Sequence, residues 1–517
     1  MKPTTFFGGA AAALLIFLTL GTLIAVMTRA EGVSALGPAD WAAVRFTVTQ
    51  AVLSAAISVG LAIPVARALA RRRFWGRGVL ITLLGAPFIL PVIVAILGLL
   101  AAFGRTGLVS TILGWVGLPP LSIYGFHGVV LAHVFFNLPL ATRLILQGWL
   151  AIPAERFRLA ASLGFSATDM RRRLEWPMLR GVLPGAFMVI FLICLTSFAV
   201  ALTLGGGPRA TTVELAIYQA FRFDFDLGKA ALLGIVQLVL TAVAAALSFK
   251  FSLPSAMGTG LDRAVERWDA GALPMRLLDS MMLMISTLFL LIPLVLVIAR
   301  GLPAVLSLPG SVWSAAMNSV LVALASTVLA VGMALSLSLW VVAVRRKAMR
   351  GVLEAIGYLA IAASPLVIGT GLFIITFPIA DPFKLALPVT ALVNAAMAVP
   401  FGLRVLIPAA REVEESYGRL AQSLNLTGWS RLRYLTLPRL RRPLGFAGGL
   451  AAALSMGDLG VIALFADPEV ATLPLQLYRL MAAYRMDAAA GTAVVLLGLS
   501  LALFWVFDRG GRVNADA

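Results

Sequence analysis

The chain has 517 residues, of which 61% are hydrophobic and only 12% charged, with a mean hydropathy of +0.98. A soluble globular protein carries about 25% charged residues, so this balance excludes one and points to a polytopic membrane protein. The formal charge of +18 would suggest nucleic acid in a soluble chain, but here the basic residues are placed for a lipid bilayer and no nucleic-acid partner is expected.

Apolar runs of about 20 residues cross the roughly 30 Å hydrocarbon core as helices. Twelve such runs occur in chain order, at 7–28, 46–69, 79–101, 125–146, 184–205, 229–249, 277–299, 315–343, 352–376, 385–407, 444–466 and 489–507. The first follows Lys2 but is too long for a signal core, and no small-residue cleavage site follows it, so it reads as a retained span. Lys and Arg in the loops set orientation. With the N-terminus cytoplasmic, the inner loops hold Arg71, Arg72, Arg73, Arg77, Arg345, Arg346, Lys347, Arg350, Arg509 and Arg512. Both termini are then expected in the cytoplasm. The polar, small-residue stretch at 251–274 divides the chain into a first six-helix module (1–250) and a second (275–517). An even number of spans per module makes the two halves parallel repeats about an axis normal to the membrane. The expected fold class is all-α, with about twelve transmembrane helices.

The strongest pattern lies in two inner loops. "RLAASLGFSATDMRRRLEWPMLR" runs from Arg158 to Arg180, and "RLAQSLNLTGWSRLRYLTLPRLR" from Arg419 to Arg441. Pro177 and Pro438, Ala160 and Ala421, and Arg180 and Arg441 are each 261 residues apart, as are Pro139 and Pro400 upstream. In the first copy a short helix offers Phe157, Ala160, Ala161 and Leu163 to one face. Gly164 can take positive φ and reverse the chain. Ser166 then reads as an N-cap with Asp169 as its capping-box partner, and the second helix is expected to stop ahead of Pro177. In the second copy Asn425 replaces the glycine, and Asn is the next-best residue for a left-handed turn. Thr427 replaces the cap, without an acidic partner. Adhesion to anionic lipid accounts for Arg171, Arg172 and Arg173. It does not account for a turn and cap duplicated at constant spacing, which suits docking of a soluble partner.

On the outer side, residues 204–234 carry a glycine-rich turn at Gly205–Pro208, which includes Gly206, followed by Tyr218, Phe221, Phe223 and Phe225 beside Asp224 and Asp226. Tyr478 and Asp487 occupy the matching places in the second half. This surface reads either as an interfacial aromatic belt or as a docking surface for a protein that delivers substrate. Asp458, inside the eleventh run and after Gly457, is an expensive residue in hydrocarbon. It either faces a translocation pathway or bonds a neighbouring helix. Cys194 reads as a small buried hydrophobe. His127 and His133, six residues apart, do not share a helix face, so no metal site is expected, and no catalytic constellation emerges.

The Ala160-Ala161-x-x-Gly164 pattern, with Pro177 thirteen residues on, resembles the cytoplasmic EAA loop of bacterial ABC importer permeases. Arg158 and Arg419 stand where that motif has Glu. With "EWP" at 175–177 and "SMGDLGVIALF" at 455–465, nearly the whole chain resembles the permeases of thiamine (thiamine pyrophosphate) importers, relatives of the ferric-iron permeases. The resemblance implies a type I importer with two cytoplasmic ATPase subunits that bind the ATP, and a periplasmic binding protein that delivers thiamine or its phosphates. It places Arg158, Ala160, Ala161, Gly164, Ser166, Asp169, Pro177, Arg419, Ala421, Asn425, Thr427 and Pro438 in ATPase-coupling loops. No phosphate-binding G-x-x-x-x-G-K-[ST] occurs in the chain, so the chain itself is expected to be neither an enzyme nor a cofactor carrier. The competing readings are a permease for ferric iron or another small ion, and a gradient-driven secondary transporter. The latter would need several ionisable groups at midplane, where only Asp458 stands out.

Overall fold

A computed structural model describes residues 3–30, 36–85, 89–207, 210–248, 251, 271, 273–465 and 470–512. The greater part of the expected linker, residues 252–270 and 272, lies outside the described residues, as does Pro208. Among the described residues every regular element is a helix. Eleven are long and apolar enough to cross a membrane, and a bent pair makes a twelfth. They are numbered here as spans 1 to 12: Phe6–Arg29, Pro38–Arg71, Val92–Trp115, Phe126–Leu150, Ala167–Leu195, Leu227–Ser248, Leu273–Ser307, Gly310–Ala343, the pair Lys347–Ala360 and Pro365–Thr376, Ala386–Ser423, Gly428–Phe465 and Met486–Arg512.

Breaks distinguish these helices from the uninterrupted apolar runs, and they fall at matching places in the two halves. The expected run 352–376 is bent by 85° ahead of Pro365. The expected run 79–101 divides into Arg77–Leu83 and Val92–Phe103, with Pro91 at the N-cap of the second piece. Proline disfavours helix at the preceding residue and is well placed at a helix start. Ser364 supplies the cap before Pro365, accepting from the Leu366 N–H at 3.2 Å. Span 5 ends at Leu195, and after Thr196–Phe198 a short helix Ala199–Leu204 follows. Span 11 is interrupted at Gly457–Leu459, between Leu437–Met456 and Gly460–Phe465. These two breaks are 261 residues apart.

The halves share one packing plan. Span 2 lies on spans 4 and 5, and span 8 lies on spans 10 and 11. The first helix of each half reaches across to the other: span 1 packs on spans 8 and 9, and span 7 on spans 2 and 3. Small residues allow these crossings, as in membrane helix pairs generally. A Cβ on Gly98 would stand 2.6 Å from the Pro293 carbonyl oxygen of span 7, and one on Gly371 would stand 2.5 Å from the Thr22 carbonyl oxygen of span 1. At the end of span 2, Arg71 and Arg72 donate to the buried carboxylate of Asp279 on span 7, at 2.7 and 2.6 Å from their Nε atoms. The charges at this seam are therefore paired, as burial requires.

Candidate functional site

The two inner loops form the turn expected of them, in duplicate. Gly164 has φ +63° and Asn425 φ +52°. In the first loop the N–H groups of Gly164 and Phe165 donate to the carbonyls of Ala161 and Ala160, both at 3.0 Å. In the second, Asn425 and Leu426 donate to Gln422 and Ala421 at 3.1 and 2.8 Å. This is one Schellman closure built twice. Inside each turn Ala160 and Ala421 are buried, whereas Arg158, Ala161 and Arg419 face outward. Beside them stand two leucine pairs that the sequence pattern did not single out as a set. Leu159 and Leu163 are 60% and 61% exposed, and Leu420 and Leu424 are 54% and 61% exposed. Four large apolar side chains on two polar loops are patches that lack a partner in this chain.

The capping box is present in the first loop: Ser166 Oγ accepts from the Asp169 N–H, and Asp169 Oδ2 accepts from the Ser166 N–H, each at 3.2 Å. Thr427 makes no such bond. The second helix of each motif does not stop at the proline, contrary to the expectation above. It widens into a π-helical turn, Arg171–Glu175 or Leu432–Thr436, and continues into span 5 or span 11 with Pro177 or Pro438 at the start of the next α segment. A wide turn absorbs the missing proline N–H and the clash of its ring with the preceding turn. Each loop is thereby joined through one continuous helix to a break deep in the molecule.

On the opposite side the expected docking residues separate. Gly206, Asp224 and Asp487 are exposed, as are Phe223, Phe225 and Tyr484. Tyr218, however, is buried, with its ring edge-on to Phe198 at 5.2 Å, and Tyr478 is half-buried. Asp226 accepts from the Lys229 N–H at 2.8 Å and so caps span 6, while Asp487 pairs with Arg300 at 2.9 Å. The short helices that carry the two tyrosines, Val213–Arg222 and Leu473–Ala482, are pinned alike. The Val213 N–H donates to Thr47 Oγ1 at 2.9 Å, and the Leu473 N–H to Ser319 Oγ at 2.7 Å.

Between the halves lies a cavity of about 340 Å³. The breaks of spans 5 and 11 line it, through Thr196, Ser197 and Phe198 on one side and Gly457, Asp458 and Leu459 on the other, together with His133, Asn137 and Glu214. Ser197 and Asp458 are repeat equivalents, as are His133 and Asn394. His133 Nε2 lies 2.7 Å from Ser197 Oγ, and its Nδ1 lies 3.4 Å from Ser54 Oγ. Asp458 Oδ1 accepts from the Gly460 N–H at 3.2 Å, whereas Oδ2 is buried without a hydrogen bond.

The relatives that span most of the chain are thiamine transport system permease proteins (ThiP). That of Brucella abortus (strain 2308) is 39% identical, covering 100% of this chain and 96% of its own length. That of Escherichia coli (strain K12) is 42% identical over 92% and 90%, and that of Haemophilus influenzae is 35% identical over 89% and 86%. No family model matches the chain. The chain belongs to the ThiP permease family. It is a multi-pass membrane transport subunit.

Within this permease, sequence reasoning found Asp458 but missed the residues around it. The repeat offset of 261 carried the missing signal, since it sets Ser197 opposite Asp458 and His133 opposite Asn394. Glu214 went unnoticed because it sits in an outer segment, between Val213 and Leu215, rather than in an apolar run.

Proposed function

We propose that this permease carries thiamine, and with it the phosphate esters of thiamine, from a periplasmic binding protein to the cytoplasm, driven by ATP on two copies of a separate ATPase subunit. The observation that carries the reading is the duplicated inner loop. Two matching turns, each beside an exposed leucine pair, suit two copies of one partner. The cargo follows from the relatives, whose names specify thiamine transport. The concentration of basic residues in the inner loops supports a cytoplasmic position for both termini. On the far side Gly206, Phe223, Asp224, Phe225, Tyr484 and Asp487 offer an exposed aromatic and acidic rim to the binding protein.

The continuous helices through the π turns supply a mechanism. Closure of the ATPase subunits on ATP displaces the two loops, and each displacement passes along span 5 or span 11 to a break at the cavity. Rising about 1.5 Å per residue, such a helix reaches from its loop to the break at the cavity and carries the displacement there. The two halves then turn relative to one another, and the seam opens alternately to the two sides.

The test is uptake of labelled thiamine at nanomolar concentration by a thiamine-requiring strain, with and without this gene, beside ferric-iron uptake. Saturable thiamine uptake that depends on the gene supports the reading. Gene-dependent uptake of iron alone would retain the importer and discard the cargo.

A further inference from the structure

Glu214 is fully buried and lines the seam cavity, with the neutral side chains of Ser364 and Gln237 beside its carboxylate and, among the described residues, no cation paired with it. Asp458, from the other half, lines the same cavity with its Oδ2 buried and unpartnered. No Lys or Arg is among the lining residues. Buried carboxylates are normally paired or hydrogen-bonded, and in membrane proteins unpaired ones mark ligand or ion pathways. The repeat shows that the architecture does not need them. At the position equivalent to Asp458 the first half has Ser197, and at the position equivalent to Glu214 the second half has Pro474. The same break and the same short outer helix are built without either acid. The rings of Phe136 and Phe198 complete the wall, and aromatic faces attract cations. The cavity volume of about 340 Å³ falls at the small end of the roughly 300–1,000 Å³ range of ligand pockets.

We infer that this cavity is a cargo subsite inside the permease, which receives the positively charged aromatic ring of the transported molecule between Glu214 and Asp458 as counter-charges and Phe136 and Phe198 as ring contacts. The inference rests on thiamine, whose thiazolium ring is such a cation, as the cargo. Because Glu214 and both rings come from the first half and Asp458 from the second, rotation of the halves draws the counter-charges apart and releases the ring.

The experiment is equilibrium binding of labelled thiamine to the purified full chain in lipid nanodiscs, without binding protein. Glu214→Gln and Asp458→Asn should each weaken binding at least tenfold, about 1.4 kcal/mol, with an unchanged gel-filtration profile and undiminished recovery of the ATPase subunit to show that each variant is folded. Pyrithiamine, which keeps an aromatic cation, should compete with thiamine, and neutral thiochrome should not. Cellular thiamine uptake measured in parallel separates the two levels of the argument. Gene-dependent uptake with no binding to the purified chain, or with variants that bind like the wild type, would overturn the subsite and leave the cargo intact. Competition by thiochrome as strong as by pyrithiamine would show a site selective for shape rather than charge, and displacement by sodium chloride at matched ionic strength a small-cation site. Either result also overturns the inference. Absent uptake would remove the cargo reading itself.

Discussion

The two inner loops present the same surface on different supports. In the first, span 4 ends at Leu150, Pro153 starts a separate helix Ala154–Ser162, and the loop is jointed. In the second, Glu414 stands at the place of Pro153, and span 10 runs unbroken to Ser423. The first loop is anchored inward by Glu175, whose buried carboxylate accepts from Arg67 Nε of span 2 at 3.1 Å. The second is braced at its surface, where Arg431 donates to Glu414 and the Arg439 guanidinium lies 4.5 Å from the Tyr417 ring. What both retain is the left-handed turn and the exposed leucine pair. The outward geometry is therefore the shared requirement, while the scaffold beneath it is free to vary.

Charging that shared surface should do the most damage. Leu159→Asp with Leu163→Asp should remove one ATPase subunit per chain in native mass spectrometry, and Leu420→Asp with Leu424→Asp should remove the other. Two bound copies in either double variant would break the equivalence of the loops. Next come the turns. A β-branched residue in the left-handed region costs about 1–2 kcal/mol, and open space surrounds a Cβ at Gly164, so the penalty is conformational. Gly164→Val and Asn425→Val should each cut thiamine uptake at least tenfold with membrane insertion intact, while Asn425→Gly should transport like the wild type. Normal uptake by Gly164→Val would remove the docking assignment.

The supports should differ where the surfaces agree. Glu175→Gln leaves Arg67 facing a neutral partner in a buried setting, and breaking a buried pair costs about 3 kcal/mol. Glu414→Gln breaks a largely exposed pair and should cost at most about 1 kcal/mol. Thermal unfolding of the purified variants checks the order, and equal losses would contradict it. The smallest effect is at the caps. Ser166→Ala should lose about 1 kcal/mol, seen as faster hydrogen exchange at the Asp169 amide, whereas Thr427→Ala should change nothing measurable at its own loop.

Much of this was legible in the sequence because its causes are local. The spans follow from apolar length, and the turns at Gly164 and Asn425 and the Ser166–Asp169 box from the residues themselves. The breaks at Thr196–Phe198 and Gly457–Leu459 were not, because two or three residues vanish within an apolar average of about 20. The passage through Pro177 was misread because the π-helical turn Arg171–Glu175 ahead of it accommodates the ring and the missing N–H, so the helix continues. The burial of Tyr218 beneath Phe198 and of Glu214 away from any cation depends on residues distant in sequence. So does the exchange of spans 1 and 7 between halves, which no periodicity encodes.

The claim that both loops couple one ATP-driven pathway is decided in proteoliposomes that contain this chain, the ATPase subunit and the binding protein, by measuring ATP-dependent uptake of labelled thiamine with either leucine pair replaced by aspartate. Saturable uptake with the intact chain and its loss on disabling either loop is the predicted result. Undiminished uptake with one loop disabled would contradict the claim.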